Sequence, residues 1–449
     1  MKLIQSAYKP ALLKKKKFLR NYSYRIAFYV LILLSFIAVF SNYIANDQPL
    51  YVSYKGKTFY PAFQNSWVGQ TIFNSKKVDT IVYEGKKEII QFDITDWRKM
   101  EVENIIWPLV PFSPEKPDYY NRDFVSPSDV QLVPTPSGTT KIASTKLKHL
   151  LGTDDLGRDV LAGLIHGTKI SLSVGILSML LAGLIGISIG ALSGFYGDDR
   201  FKITRIARIL FFPIIILGFF FAFISRSATI AEGFETGIIS GIFQFTFSIF
   251  ILVSFSFILL FLLNKIKIGW LGKKIDFPID SILSRATEVF NSLPKLLLII
   301  SLSVIFEQRS IWLVIFIIGL TSWTEIARFM RSELLKIRDL DYITSAKASG
   351  INSKKILLKH AIPNAMNPVY VTISFGIASA ILIESGLSFL GIGVPEQSVT
   401  WGSMLSQGKQ ELEAWWLILF PGIAIFITVV VFNLIGDGLN EAADVKQSK

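Results

Sequence analysis

The segment Asp341–Pro363, DYITSAKASGINSKKILLKHAIP, is polar and basic and lies between long apolar runs. Its first half predicts a short helix over Tyr342–Ser349, because Asp341 is a residue type that caps helix N-termini. Gly350 follows this helix, and glycine readily adopts the left-handed conformation in which many helices end. We therefore predict that the first helix ends in a turn at Gly350.

The second half of the segment predicts another short helix, over Lys354–His360. Asn352 and Ser353 precede it as cap-type residues, and Pro363 is expected to close it because proline has no backbone N–H. Two helices joined at a glycine, lying on a membrane surface, can act as a rigid knob. A partner that moves the knob would tilt the helices on either side.

The composition places the chain in a membrane. Of its 449 residues, 51% are hydrophobic, and they cluster in blocks, which is typical of integral membrane proteins. The chain has no cysteine, which excludes disulfides and thiolate metal sites. The net charge of +12 does not indicate a nucleic-acid partner, because Lys and Arg lie between the apolar spans.

Eight apolar runs predict eight transmembrane helices. The runs cover residues 26–45, 170–196, 210–224, 238–263, 289–306, 311–327, 369–390 and 415–435. Lys and Arg concentrate in alternate connecting segments, which places the N- and C-termini in the cytoplasm by the positive-inside rule. The run Lys14–Lys17 is expected to orient the first helix and to contact lipid headgroups.

Small residues recur every four positions along the second span, at Ala182, Gly186, Gly190 and Gly194. Residues of this size let two helix backbones approach closely, so this face is predicted to pack on another transmembrane helix. Lining a substrate path is the second interpretation of the same face.

Glu384 is a carboxylate inside an apolar span, so it should face protein or an aqueous cavity rather than lipid. Two roles remain open for it: a structural ion pair or hydrogen bond, or a polar element of a translocation path. Ser374 and Ser379 are weaker candidates for the same polar lining. Lys295 needs no functional explanation, because it can extend its ammonium to the membrane surface.

The motif LGTDDLGRDV, at Leu151–Val160, holds three aspartates near His149. These groups could be drawn as a metal site, but their spacing favours a capped elbow before the next helix. Arg158 is expected to pair with one of the aspartates. Trp401, Trp415 and Trp416 are expected in an aromatic belt at the membrane interface.

The chain is not expected to be an ATPase. A phosphate-binding loop needs a glycine five residues before its Gly-Lys-Thr, and Tyr51 stands there before Gly56-Lys57-Thr58. Any energy from ATP must therefore come from another chain.

The segment Asp341–Pro363 resembles the coupling loop of ABC-type import permeases, whose pattern reads Glu-Ala-Ala, three residues, Gly, nine residues, an apolar or His position, one residue, Leu-Pro. The matching positions are Thr344, Ser345, Ala346, Gly350, His360, Ile362 and Pro363, with Glu and the first Ala replaced. Further matches are SLPKLLL at Ser292–Leu298, IESGLSFLGIGV at Ile383–Val394 and FNLIGDGLNEAAD at Phe432–Asp444, beside the LGTDDLGRDV motif. Together they resemble the C-type permease subunit of peptide, nickel and opine importers.

The resemblance implies an all-α polytopic membrane protein with the type I importer fold, in the bacterial inner membrane. It implies a second, B-type permease subunit, two ATPases that bind ATP and Mg, and an external solute-binding protein, with no cofactor on this chain. The ATPases would contact the matching positions and Tyr342. The implied substrates are di- and oligopeptides, with nickel complexes or opines as alternatives; a proton-driven transporter or a membrane sensor is less favoured.

The apolar runs, with the resemblance over residues 149–198 and 276–444, set the expected domain plan. Residues 1–45 form a basic tail and the first span, 46–166 an external and β-containing loop domain, 167–198 the second span, 199–275 an inserted transmembrane hairpin, and 276–449 the core permease domain with the coupling loop 341–363. The external domain is either a platform for the solute-binding protein or an insertion that only packs on the membrane domain.

Overall fold

The structure is a computed structural model that describes residues 21–64, 78–83, 86–92, 95–135, 139–198, 202–236, 238–266, 268–305, 309–395 and 398–444. The basic tail, with its run Lys14–Lys17, lies outside the described residues.

The described chain is mostly helical, with six helices long and apolar enough to cross a membrane. They are α1 (Tyr22–Ile44), α2 (Val160–Tyr196), α6 (Ile238–Asn264), α9 (Ile311–Ile337), the helix Ser353–Phe389 and α14 (Trp416–Asp444). Two bent helix pairs bring the number to eight if each pair is one span. The pairs are α4 (Phe211–Phe219, continued by a π turn to Ile224) with α5 (Ser227–Thr236), and α7 (Ile279–Ser292) with α8 (Lys295–Ile305). The predicted fold class is confirmed.

Two predicted spans differ from the observed helices. Helix α2 begins at Val160, inside the range predicted as the external domain. The predicted span 289–306 is bent rather than a single helix, because the chain turns by 79° between α7 and α8. Pro294 lies at this bend, and Leu293 before it is extended, as the residue before a proline prefers.

The segment between α1 and α2 contains short antiparallel strands, as the sequence predicted. Strand β1 (Tyr51–Tyr54) pairs with β2 (Lys57–Phe59) and β5 (Asn104–Ile106), β3 (Val78–Tyr83) with β4 (Lys86–Gln91), and β6 (Leu132–Pro134) with β7 (Thr140–Ile142). A small core of Val52, Phe59, Phe92 and Trp97 forms under the first sheet. The Trp97 indole donates to buried Gln48 at 2.9 Å, which satisfies its polar atom inside that core.

The inserted hairpin starts and ends at one place. Strand β8 (Lys202–Thr204) pairs antiparallel with β9 (Lys274–Asp276), and Thr204 lies opposite Lys274. Between these strands lie α3 (Arg205–Ile209), α4, α5 and α6. Because its two ends are neighbours in one ladder, the insertion leaves and rejoins the chain without separating the flanking residues.

The remaining helices are α10 (Asp341–Ala348), α11 (Ser353–Ile356), α12 (Ile362–Phe389) and α13 (Trp401–Gln410); a π turn over Leu357–Ala361 joins α11 to α12. The chain forms two compact units. One comprises residues 1–178, 309–315 and 374–449, and the other comprises 179–308 and 316–373.

Candidate coupling site

Helix α10 begins one residue earlier than predicted. Its N-cap is Leu340, which is extended and makes no side-chain cap, so the prediction of Asp341 as the cap is wrong. Asp341 lies instead in the first helical turn, where a carboxylate is stabilised by the positive end of the helix dipole. The Thr344 hydroxyl, one turn later, donates to the Asp341 carbonyl at 3.0 Å.

Gly350 ends α10 in the left-handed conformation that the sequence predicted, with φ +76°. Its N–H donates to the Lys347 carbonyl at 3.0 Å, and the Ile351 N–H donates to the Ala346 carbonyl at 3.2 Å. This pair of bonds is the Schellman arrangement, which satisfies two carbonyls at the helix end. A side chain at Gly350 would meet no atom within 4 Å, so only the backbone conformation requires glycine.

Asn352 caps the second helix, and its side-chain oxygen accepts from the Lys354 N–H at 2.9 Å. The prediction that Pro363 closes this helix is wrong, because the helix runs on through the π turn into α12 and reaches Phe389. In the π turn the Ile362 N–H bonds to the Leu357 carbonyl, five residues back. The wider turn accommodates a proline ring that would clash with a carbonyl in a regular α-helix.

Three buried residues hold the knob in place: Ile343 and Ile356 are fully buried, and Leu357 nearly so. The outer face carries Asp341, Tyr342, Thr344, Ser345, Gly350 and Ile351, all exposed, and we call these six residues the coupling surface. Of the other predicted coupling residues, His360 and Pro363 are exposed, while Ala346 and Ile362 are half-buried. The surface mixes apolar and small polar groups, which suits a protein contact.

The coupling knob is tied to the helix before it. The Lys347 ammonium donates to the Arg338 carbonyl at 3.3 Å and lies 5.6 Å from the centre of the Phe195 ring on α2. Arg331 on α9 binds Asp280 with a 2.6 Å contact from Nη2 to Oδ2, and the Ser193 hydroxyl donates to the same carboxylate. These contacts fasten α2, α7 and α9 together beside the knob.

The small-residue face of α2 lies directly on α9. A Cβ at Gly186 would lie 2.7 Å from the Trp323 carbonyl, and one at Gly190 would lie 2.5 Å from the Ala327 carbonyl. At Gly194 the nearest atom is the Arg331 carbonyl, at 2.6 Å. Ala182, at the start of the face, is fully buried. No side chain fits at these three glycines without moving the α9 backbone.

Glu384 is fully buried in a group of hydroxyls. Ser388 donates to its carboxylate at 2.9 Å, and Ser171 donates at 3.0 Å. Ser374 is also buried and donates to the Phe432 carbonyl at 2.8 Å, whereas Ser379 is exposed. This arrangement favours the structural alternative for Glu384 and Ser374.

The elbow before α2 is an ionic cluster around buried His149. Its Nδ1 lies 2.8 Å from Asp159 Oδ2, its Nε2 lies 3.2 Å from Asp118 Oδ2, and its ring stacks on Phe112. Burial alone would lower the pKa of His149, but the hydrogen bonds with the two aspartates raise it above its usual range. Burial likewise opposes ionisation of Asp118, yet hydrogen bonds from His149 and Asn121 hold the pKa of Asp118 below its usual range.

The predicted pairing of Arg158 is observed, with Nε 2.6 Å from Asp154 Oδ2. Burial nevertheless raises the pKa of Asp154, and the Arg158 charge only partly offsets that rise. Within the described part of the chain, no three His, Asp or Glu side chains are arranged to hold a metal ion. Both ring nitrogens of His149 face carboxylates, so neither is free to bind a metal.

The aromatic belt predicted for the tryptophans is wrong for two of them. Trp401 is buried and donates to the Leu164 carbonyl at 3.0 Å, and Trp416 is buried and donates to the Thr153 carbonyl at 3.0 Å. Only Trp415 of the three is exposed. The indole of Trp401 thus joins α13 to the start of α2, and that of Trp416 joins α14 to the elbow.

Sequence comparisons identify the part of the chain that contains the coupling knob. Residues 265–449 match the sequence profile of the binding-protein-dependent transport system inner membrane component. This part of the chain belongs to that permease family. The coupling surface, Glu384 and its hydrogen-bond donor Ser388 all lie within the residues that match the permease family.

Individual relatives of the permease carry transport names. A protein named as a peptide transport system permease of Brucella suis is 29% identical over 301 residues, 66% of this chain and 74% of the relative. The oligopeptide transport system permease protein OppC of Salmonella typhimurium is 39% identical over 169 residues, 37% of this chain and 56% of OppC. The inner membrane ABC transporter permease protein YejE of Escherichia coli is 26% identical over 93% of this chain and 91% of its own length.

Proposed function

We propose that this permease imports di- and oligopeptides, driven by ATPases that bind its coupling surface. The substrate class is supported by the names of the Brucella and Salmonella relatives, which are peptide and oligopeptide permeases. The single structural observation behind the coupling role is the rigid knob, in which a Schellman turn at Gly350 and the Asn352 cap join two helices. The six residues of the coupling surface lie on the first of these helices and in the turn after it.

The knob can transmit movement because it is continuous with long helices on both sides. Helix α9 precedes it, and the helix Ser353–Phe389 follows it without a break. That helix has 37 residues, roughly 55 Å at 1.5 Å per residue, so a small tilt at its start displaces its far end by several ångströms. Closure of the ATPases would push the coupling surface and switch the pore between inward and outward access.

The proposal includes the partners that such an importer needs. A second permease subunit would complete the pore, two ATPases would bind ATP and Mg, and a solute-binding protein would deliver peptide from outside. The positive-inside pattern then places the coupling surface in the cytoplasm and the β-containing segment outside. This segment would lie on the same side of the membrane as the solute-binding protein.

The test is uptake of labelled di- and oligopeptides, with labelled nickel alongside, in cells with and without the chain. Gly350→Val should abolish peptide uptake, because a β-branched residue is strained at φ +76°. Gly350→Asn should retain uptake, because asparagine tolerates that conformation and the added side chain has free space.

Gly56→Val is the matched control. Gly56 also has positive φ, at +73°, and also has no atom within 4 Å of a Cβ, but it lies in the β1–β2 hairpin. The control should keep peptide uptake while Gly350→Val loses it. Normal uptake by Gly350→Val at a normal membrane level would refute the coupling role, and loss of nickel uptake alone would change the substrate.

A further inference from the structure

Basic side chains gather where the inserted hairpin leaves and rejoins the chain. They lie on β8, on α3, directly after α6 and at the start of β9, and we call them the basic patch: Lys202, Arg205, Arg208, Lys265, Lys273 and Lys274. All are exposed except Arg205, which is half-buried. Within the described residues 202–210, 264–266 and 268–276, these six positive charges face a single acidic residue, Asp276.

Three contacts hold the parts of the basic patch together. The ladder between β8 and β9 places Thr204 opposite Lys274. The Arg205 N–H donates to the Lys273 carbonyl at 3.1 Å, which joins α3 to the start of β9. The N–H of Thr204, a buried residue, donates to the side-chain oxygen of Asn264 at 2.7 Å, which joins β8 to the end of α6. The basic patch is therefore one folded surface, although its residues come from two distant segments.

Most of the basic patch has no carboxylate of its own chain to bind. In the described part of the chain, only Lys202 of the six forms an ion pair, and its Nζ lies 4.0 Å from Asp276 Oδ1. By contrast, Arg285 on α7 and Lys336 on α9 each bind a glutamate of their own helix at 2.7 Å. Lys202 and Lys274 are diagonal neighbours on one face of the β8–β9 ladder, so two ammonium groups can reach one anion there.

Large apolar side chains are exposed beside these charges. Ile268 and Trp270 lie on the turn before β9, and they are 68% and 63% exposed. The guanidinium carbon of Arg205 lies 4.6 Å from the centre of the Trp270 ring, which fixes the charge beside the indole. Helix α6 and the bent pair α4–α5, which adjoin the basic patch, are apolar enough to cross a membrane. Tryptophan among lysines and arginines at the end of apolar helices is typical of a membrane interface.

We propose that the basic patch binds the phosphate of an anionic phospholipid, with Ile268 and Trp270 at the depth of the lipid headgroups. Phospholipid fits better than an acidic protein surface or a nucleic acid, because exposed apolar side chains adjoin the charges and membrane spans lead directly into them. A bound lipid would hold the base of the inserted hairpin at the membrane surface. The inference goes beyond the proposed function, since the site lies outside the coupling surface and does not depend on the imported substrate.

The first test measures the phospholipid affinity of the full chain, purified in detergent and delipidated. Phosphatidylglycerol with a fluorescent acyl chain is titrated onto the protein, and phosphatidylcholine with the same chains is the reference without net charge. Phosphatidylglycerol should bind at least about tenfold more tightly. Lys273→Gln combined with Lys274→Gln should weaken its binding about thirtyfold, which corresponds to about 2 kcal/mol for two basic residues, and should leave phosphatidylcholine binding unchanged.

Arg285→Gln combined with Lys336→Gln is the matched control, because it removes two positive charges that already bind glutamates. It should keep the affinity for phosphatidylglycerol within about twofold. Lys273→Arg combined with Lys274→Arg keeps the charge and should bind like the parent, which separates a lost charge from a damaged fold.

Equal affinity of the parent for both lipids, or an equal loss in the Lys273/Lys274 and control variants, would overturn the proposal. Displacement of phosphatidylglycerol by an equal concentration of inorganic phosphate would also overturn it, because the basic patch would then be a site for a soluble anion.

The second test asks where Ile268 lies relative to the membrane. Because the native chain has no cysteine, Ile268→Cys can carry a single nitroxide label in the full chain, reconstituted in vesicles of phosphatidylglycerol and phosphatidylcholine. Lys141→Cys, exposed on β7, is the control. Oxygen, which concentrates in the bilayer, should relax the label at 268 more than a water-soluble nickel chelate does, and the label at 141 should show the opposite order. Equal access of the nickel chelate to both labels would overturn the proposal, because it would place the basic patch in water.

Discussion

At the scale of single residues, the His149 cluster has a consequence for stability. A histidine whose folded pKa is raised binds its proton more tightly when folded, so its stabilisation is full below the unfolded pKa of about 6.5. That stabilisation is lost as pH rises through the folded value. Asp118, whose pKa is lowered, contributes the opposite dependence, which is lost only as pH falls into the acid range.

We therefore predict that the elbow loosens between neutral and alkaline pH. The temperature at which trypsin begins to cleave the purified permease within residues 118–159 should fall as the pH is raised above 6.5. His149→Gln should flatten this dependence and lower stability by about 3 kcal/mol at pH 6.5, because it removes one partner of a buried ion pair. A pH dependence that survives in His149→Gln would assign it to other groups.

Some residues of the candidate site could be predicted from the sequence, and others could not. The positions of Gly350 and Asn352 were predictable because turn and cap chemistry is local. His149 and Asp118 are distant in sequence, and nothing local indicated that Asp118 would complete the cluster. For Glu384, sequence left two roles open, since only the fold shows that the hydroxyl of Ser171 reaches it.

At the scale of elements, the close contact between α2 and α9 limits the size of the side chains that α2 can carry on that face. Gly190→Ala should destabilise the permease by about 1–3 kcal/mol, because the new Cβ would lie 2.5 Å from the Ala327 carbonyl and force the helices apart. Gly183→Ala on the same helix is the control, since its nearest neighbour would be Ile373 Cδ1 at 3.5 Å, an ordinary contact.

The measurement is the midpoint of heat-induced aggregation for detergent-purified variants. Gly183→Ala should match the parent or exceed it slightly, because alanine is about 1 kcal/mol more favourable than glycine within a helix. If both variants lose the same stability, the close approach of α2 to α9 does not limit residue size.

Elements also show why some helix boundaries were not predictable. Only Pro363 was expected to end a helix, yet the proline that separates two helices is Pro294. The difference lies in the backbone before each proline. A π turn that ends at Ala361 accommodates the ring of Pro363, whereas Leu293, before Pro294, is extended. A proline is visible in the sequence, but the turn that will form before it is not.

At the scale of the whole molecule, the spans were predictable because hydrophobic length is a property of composition. The β-containing segment was predictable as a class, from alternating residues, while its strand pairs join residues distant in the chain, such as Val52 and Ile105, which no local pattern announces. The inserted hairpin was visible as two apolar runs. Its closure by β8 and β9 was not, because each strand has only three residues.

That closure makes the topology of the hairpin testable. Residues 205–273 can be replaced by Asn-Gly, since Thr204 and Lys274 are opposed in an antiparallel ladder and a two-residue turn joins such a pair. If the bent pair α4–α5 crosses the membrane once, the deletion removes two spans and every later helix keeps its orientation. A C-terminal tag should then be cleaved by protease from the same side as in the full chain.

Deleting residues 238–264 alone is the control for this topology, because it removes one span and should reverse or abolish insertion of the later helices. A tag on the opposite side in the 205–273 deletion would mean that α4 and α5 re-enter the membrane without crossing it. The chain would then have an odd number of spans, so its two ends would lie on opposite sides of the membrane.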